Sequence, residues 1–308
     1  MTKCLYRKII HKISDVNITA YQIQKNKQEN TSQSEKKWET SNYVNSFIYH
    51  YHPLHSRIQN KTYLFIVNFH WVMYNHTDFL RNEYFKRFSE YFQYSFDVIL
   101  VGPKHDEENK VYGNTLRENG YYSYYSIPFT YDLVCKKQKC NYDGFFLMND
   151  DSYVDAQNLN QYNLSISYHE PSSPFIPDRK KWGWPWAKNP LKKTFLEGYN
   201  DAIQELMNSP FNQTCNLYDQ QFRRKGYSDF LYLTKDDIDI YNQVALAMFN
   251  HRVFLEMASP TAFACVGNMF FLDCNYSGKN YPKCVHQHPV KFSKKSNQNF
   301  AMNRLNHK

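Results

Sequence analysis

The chain has 308 residues, 42% hydrophobic and 21% charged, which is a globular rather than disordered composition with length for one large domain or two small ones. Much of its formal charge of +8 sits near the ends, in Lys3, Arg7, Lys8 and Lys12 and again in Lys291, Lys294, Lys295, Arg304 and Lys308. No nucleic-acid-binding signature accompanies it, so solvated tails are the reading and no nucleic-acid partner is expected. No run reaches the ~18 apolar residues that span a bilayer, so a membrane link would need an anchor outside this sequence.

Residues 1–16 (MTKCLYRKIIHKISDV) lack the uninterrupted apolar stretch of a signal peptide. Residues 1–58 are polar and weakly periodic, and KNKQENTSQSEKK (25–37) reads as linker. We take 1–58 as an N-terminal extension or stem. KTYLFIVNFH (61–70) predicts a buried strand. In DFLRNEYFKRFSEYF, Phe79/Leu80, Tyr84, Phe88 and Tyr91/Phe92 recur at three- and four-residue steps, as an amphipathic helix requires. FDVILVGP (96–103) predicts a second buried strand, GYYSYYSIP (120–128) a third and more exposed one, and 129–140 a short helix or turn. YDGFFLMND (142–150) predicts a fourth strand. This order predicts an α/β domain over 59–293, its sheet mostly parallel and flanked by helices, followed by a basic tail at 294–308.

The second half is less regular. HEPSSPFIPDRKKWGWPWAKNP (169–190) is too proline-rich for helix or central strand. Residues 195–209 predict a helix, 226–234 a strand, 237–252 a helix, and VFLEMASPTAFACV (253–266) begins as strand. VHQHPVKFS (285–293) closes the folded part. Seven cysteines include two locally close pairs, Cys135/Cys140 and Cys274/Cys284, which suit an oxidising compartment, and the odd total leaves at least one thiol free or intermolecular. Sequons at Asn17, Asn30, Asn60, Asn75, Asn163, Asn212 and Asn275 point the same way, although an Asn-rich chain makes some by chance. Without a CxxC pair, zinc bound by these cysteines is a poor alternative.

Four groups of residues carry candidate chemistry. Asp150 and Asp151 stand side by side directly after an apolar strand, with Asp155 a few residues on. Paired carboxylates there need a cation or a hydrogen-bond cage, and oxygen ligands suit Mg²⁺ or Mn²⁺. A strand-end turn with one acid as a cap is the structural alternative. Ligands of α/β sheets gather at the carboxyl ends of strands, where this cluster lies. His286 and His288 share one face of an extended segment beside Lys291 and could complete a metal shell. Trp182, Trp184 and Trp186 alternate, so an extended chain would present one aromatic face to a sugar ring, or a plug to the core. Glu256 is an acid inside an apolar run and Asp229 opens the strand SDFLYL; either could act as a general base, and an ion pair of Glu256 with Arg252 is the structural alternative. Asp236-Asp237 before a helical run reads as structural capping.

The strands 61–70 and 96–101, FFLMNDD at 145–151 and VHQHPVK at 285–291 together resemble the GT-A-type nucleotide-diphospho-sugar glycosyltransferases over roughly residues 60–293. The resemblance implies a Rossmann-like, GT-A-like sheet and an acidic metal-binding motif with Asn149 at the usual first acid, Asp150 in the middle and Asp151 as the direct ligand of Mn²⁺ or Mg²⁺. It implies further that Val67 and Asn68 line the nucleotide, that His286 or His288 adds a late metal ligand, and that Lys291 helps hold the cofactor-bound donor. The Trp loop would then meet the acceptor, with Asp229 or Glu256 facing it. The function implied is transfer of a sugar from a UDP- or GDP-sugar to a glycan or glycoprotein hydroxyl, in the lumen of the Golgi or endoplasmic reticulum. Two other classes fit parts of the pattern: a metal-dependent nucleotide-sugar or phosphoester hydrolase, and a non-catalytic glycan-binding protein on a degenerate transferase fold.

Overall fold

Aromatic and β-branched runs without internal turn residues build the centre of a seven-stranded sheet. The computed structural model describes residues 41–53, 61–114, 119–136, 140–175, 192–217, 219, 222–267, 269–271 and 283–306. The chain divides into two units, Met1–Val44 and Asn45–Lys308. Residues 41–44, the described part of the first, are helical. The sheet belongs wholly to the second unit.

The strands are β1 Ile48–Tyr51, β2 Thr62–Asn68, β3 Ser95–Gly102, β4 Val111–Gly113, β5 Gly144–Asn149, β6 Tyr153–Val154, β7 Tyr168–His169, β8 Ser172–Pro174, β9 Arg224–Gly226, β10 Phe230–Thr234 and β11 His286–Gln287. The main sheet runs β1-β3-β2-β5-β10-β7, with β4 on the edge of β3. β2 pairs in parallel with β3 and β5, and β3 with β4. β1 on β3, and β10 on both β5 and β7, are antiparallel. The sheet is therefore mixed, where the sequence predicted a mostly parallel one. Strand direction leaves no mark on an apolar run, and β10 reads like β5 in sequence although it enters from the opposite end. β1 lies within the polar first 58 residues; its burial is only partial, so its hydrophobic signal is weak.

β2, β5 and β10 are buried along nearly their whole length because helices cover the faces. Rings fill the interior: Phe65 stacks on Phe146 at 4.4 Å between centroids, and Phe146 meets Tyr232 at 4.6 Å. The helical segment at 79–89 lays Phe79, Leu80, Tyr84, Phe85 and Phe88 into this core, as the spacing predicted. The helices Lys192–Met207 and Ile238–Asn250 also form where expected.

Two segments differ from the sequence reading. Residues 119–131, taken as a strand over 120–128, form short 3₁₀ turns and then the helix Ser126–Tyr131. The pairs Tyr121/Tyr122 and Tyr124/Tyr125 recur every three residues, a helical step that also mimics alternation. Pro128 falls in the first turn, where its missing N–H costs no helical bond. Residues 255–264, read as the start of a strand, are helical behind an extended Phe254. An apolar run this short cannot be typed by periodicity, and Ala258, Ala262 and Ala264 favour helix.

The basic segment at 294–308 holds the helix Lys295–Asn306, which buries Ala301 and Leu305 and brings Arg304 within 3.6 Å of Asp155. Disulfides join Cys135 to Cys140, as the spacing suggested, and Cys215 to Cys265 across 50 residues. Cys284 is disulfide-bonded as well. These bonds suit an oxidising compartment. The sequon asparagines Asn75, Asn163 and Asn212 are exposed, and the other four lie outside the described residues. No helix among the described residues is long and apolar enough to cross a membrane.

Candidate metal and acid–base site

Asn68 and Asn149 end the neighbouring parallel strands β2 and β5 as register partners. The chain leaves the sheet at the same edge in both, so His70 and the pair Asp150-Asp151 meet there. Asp150 donates its backbone N–H to Asn68 O at 2.9 Å. Its Oδ1 accepts from the backbone N–H of His70 at 3.3 Å and lies 3.1 Å from His70 Nδ1. Its Oδ2 lies 3.4 Å from Nε2 of the buried His76. Between these two histidines Trp71, Val72 and Met73 are 67%, 55% and 59% exposed.

The antiparallel entry of β10 matters here. Phe230 opposes Met148, so the beginning of β10 stands at the edge where β5 ends. Asp229, one residue earlier, accepts from the backbone N–H of Asn149 at 3.0 Å and, through Oδ1, from Asn149 Nδ2 at 2.7 Å. β11 pairs with β6, and Val290 donates to Asp151 O at 2.5 Å, which pins the 285–290 segment beside the acids. His288 stands between two carboxylates, with Nε2 3.2 Å from Asp151 Oδ1 and Nδ1 3.2 Å from Asp229 Oδ2.

Behind this layer Glu170 is fully buried. Its Oε2 accepts from the backbone N–H groups of Asp229 and Phe230, and its Oε1 lies 3.3 Å from His286 Nδ1. Glu170 thus fixes the head of β10 and holds the His286 ring, which stacks on Phe230 at 5.3 Å. Asn68 is held in turn by Ser126, whose Oγ donates to Asn68 Oδ1 at 2.7 Å.

Charge is distributed unevenly across the cluster. Burial would lower the His70 imidazole, but its hydrogen bond to Asp150 and the charges of Asp150, Asp151 and Asp229 push it up to about 9. Burial would raise the Asp150 carboxyl, but hydrogen bonds and charge from His70 and His76 hold it well below the usual range. Asp151 is likewise lowered against its burial, by His288 and His70. His288 acts on Asp151 by its close approach and its charge, with Nε2 3.2 Å from the buried Oδ1. Asp229 goes the other way. Burial and the charge of Glu170 push its carboxyl up to about 6, against His288 and His286. Glu256, in the first turn of the helix Leu255–Ala264, is pushed up to about 9 by burial, Asp229 and Glu170. No positive charge among the described residues offsets this, so the ion pair with Arg252 weighed from the sequence is not what sets its charge.

The residues fit a divalent cation. Ligand atoms of His70, Asp150 and Asp151 all lie within 4.8 Å of one another, and the buried Asp151 Oδ1 without a hydrogen bond is an acceptor that a cation would satisfy. Among the residues singled out in the sequence, Asn68, Asn149, Asp150, Asp151, Asp229 and His288 come together at this edge. His286 sits one step back against Glu170. Val67 is fully buried in the apolar core, and Lys291 is exposed just past the 285–290 segment. Asp155 caps the helix Ala156–Leu159 by accepting from Asn158 N–H at 3.0 Å. Asp237 accepts from Thr234 Oγ1 at 2.9 Å and from Ser167 Oγ at 2.5 Å, a structural role. Trp182, Trp184 and Trp186 lie outside the described residues.

Sequence reasoning missed His70, His76, Glu170 and Ser126. His70 had a signal: it follows an apolar strand as directly as Asp150 does. Glu170, ahead of a proline-rich segment, had none. No protein-family model matches the chain, and no curated protein is significantly similar to it in sequence.

Proposed function

We propose that the chain is a metal-dependent glycosyltransferase on a GT-A-like fold, moving a sugar from a nucleotide-diphosphate donor to a hydroxyl of a glycan or glycoprotein in the lumen of the secretory pathway. The observation that carries this reading is the convergence of Asp150, Asp151, Asp229 and His288 at one sheet edge, with Asp151 Oδ1 buried and accepting no hydrogen bond. Asp151 with Asp150 would hold Mn²⁺ or Mg²⁺, which would supply the positive charge that a departing diphosphate requires.

The remaining steps belong to the side chains. Asp229 is the base: its carboxyl titrates at about 6, so it is ionised at neutral pH yet basic enough to accept a proton from an acceptor hydroxyl. Asn149 fixes its Oδ1 at 2.7 Å, and His288 at 3.2 Å from Oδ2 stabilises the charge while it waits. Glu256, pushed up to about 9, keeps its proton at neutral pH and serves as a hydrogen-bond donor to a substrate oxygen rather than as a second base. Asn68 and Asn149 offer neutral polar contacts to the donor, Lys291 a charge for its phosphates, and the Trp182–Trp186 segment an acceptor platform.

The test is a panel of UDP- and GDP-sugars offered with simple glycan acceptors, with and without Mn²⁺, and with Asp151→Ala as control. Metal-dependent, acceptor-dependent turnover lost in the variant is the expected result. Donor breakdown that ignores the acceptor would make the chain a hydrolase, and absence of nucleotide binding would leave a glycan-binding protein.

A further inference from the structure

The two acids at the end of β5 meet nitrogen as well as oxygen. His70 Nδ1 lies 3.1 Å from Asp150 Oδ1 and 4.0 Å from Asp151 Oδ1. Donor atoms about 2.1 Å from a shared ion stand roughly 3 to 4.2 Å apart, depending on the angle between them, so these separations match edges of one coordination shell. The ring is well placed to stay there. Phe69 N–H donates to Val101 O at 2.8 Å, and His70 N–H donates to Asp150 Oδ1, so the backbone on both sides is tied. A β-carbon on Gly120 would come within 3.1 Å of His70 Cδ2, so the absence of a side chain there is what gives the ring its room.

We propose that His70 is itself a ligand of the cation, through Nδ1 beside Asp150 and Asp151, and that this mixed nitrogen and oxygen set selects a first-row transition ion of the Mn²⁺ or Zn²⁺ kind over Mg²⁺. The inference rests on the cation-binding part of the function proposed above and not on sugar transfer. Imidazole suits transition ions, whereas Mg²⁺ prefers carboxylates, phosphates and water and gives up its water reluctantly. The cation takes the place of the proton that His70 Nδ1 and Asp150 Oδ1 otherwise share.

A rival arrangement needs no ion: protonated histidines alone could balance the two acids. Two observations weigh against it. His76 is 4% exposed, and its Nε2 stands no closer than 3.4 Å to Asp150 Oδ2, longer than an imidazolium–carboxylate contact ordinarily is. Asp151 Oδ1, facing imidazole nitrogens at 3.2 and 4.0 Å, accepts no hydrogen bond among the described residues. Imidazolium–carboxylate pairing would normally close such contacts, because a buried polar atom left without a partner is unfavourable. Ligand atoms gathered around a shared ion would show such separations.

The test uses the whole chain stripped by chelator, titrated separately with Mn²⁺, Zn²⁺ and Mg²⁺ by calorimetry, with pulsed EPR on the Mn²⁺ sample. We expect Mn²⁺ and Zn²⁺ to bind at least about tenfold tighter than Mg²⁺, and bound Mn²⁺ to show coupling to imidazole nitrogen. His70→Ala should remove a nitrogen coupling and weaken Mn²⁺ at least about tenfold, while His70→Asp should restore binding with Mg²⁺ gaining on Mn²⁺. Equal affinity of the wild-type chain for Mn²⁺ and Mg²⁺, needing no variant, would overturn the proposal. So would nitrogen coupling unchanged in His70→Ala, or no ion binding at millimolar concentration. Nitrogen-coupled Mn²⁺ in a chain that transfers no sugar would uphold the ligand and remove the transferase.

Discussion

Glu256 offers the sharpest test of the electrostatics. Its carboxyl rises from an ordinary 4.5 to about 9 because it is buried near Asp229 and Glu170. Between those values the folded chain holds a proton that the unfolded chain has released, so the group's contribution is neutral at low pH and turns increasingly unfavourable as pH rises toward 9. Each unit of pH costs about 1.4 kcal/mol over that window, so at pH 7 the penalty is about 3 kcal/mol. Glu256→Gln has the shape of the protonated acid and no charge to lose. We expect it to match the wild type near pH 4.5 and to exceed it by about 3 kcal/mol at pH 7, which is about 6 °C in melting temperature for a chain of this size. The assay is thermal unfolding of both proteins in chelator from pH 4.5 to 9, followed by circular dichroism. A gap that does not change with pH, or a variant less stable at pH 8.5, would show that Glu256 is ionised in the folded chain, and its assignment as a proton donor would fall with it.

Three other outcomes follow from packing and pairing. Gly198→Ala, inside the helix Lys192–Met207, would ordinarily gain about 1 kcal/mol, but here the new β-carbon meets the backbone carbonyl of His251, so we expect a loss of about 1–3 kcal/mol by urea unfolding. Opening the Cys215–Cys265 bond by the double serine variant should cost about 4 kcal/mol, since the bond closes a loop of 50 residues; unchanged stability under reducing and oxidising conditions would contradict this. Glu170→Ala should cost about 3–5 kcal/mol by removing the acceptor of two N–H groups and the carboxylate beside His286, and Glu170→Gln, which can still accept from the backbone, should recover part of it; equal losses would mean that acceptance from those N–H groups is not what orders β10.

How much the sequence disclosed depends on how strongly each feature is marked in one dimension. The central strands β2, β3 and β5 are continuous apolar runs, so their place was plain, and with it the position of Asp150 and Asp151 at a strand end. Asp229 and His288 were singled out because acids and paired histidines stand out against apolar neighbours, and the fold brings both beside Asp151 or one another. The direction of β10 was not legible, because its five residues look alike from either end. The helical turns within 120–128 and the helix at 255–264 were misread as strand because a short aromatic or apolar run satisfies both periods. His70 and Glu170 were missed for a different reason: their roles are relations across about 80 and 60 residues of chain, visible only after the sheet brings their partners beside them.

β10 is placed in the sheet by Phe230, Leu231, Tyr232, Leu233 and Thr234, all buried, rather than by its first polar neighbour. Slipping it by one residue would turn that whole apolar set to the wrong faces. Whatever side chain occupies position 229 is therefore delivered to the rim by the interior of the sheet. A lineage could exchange that acid for another group, and so change what the rim presents, without first having to invent a new scaffold.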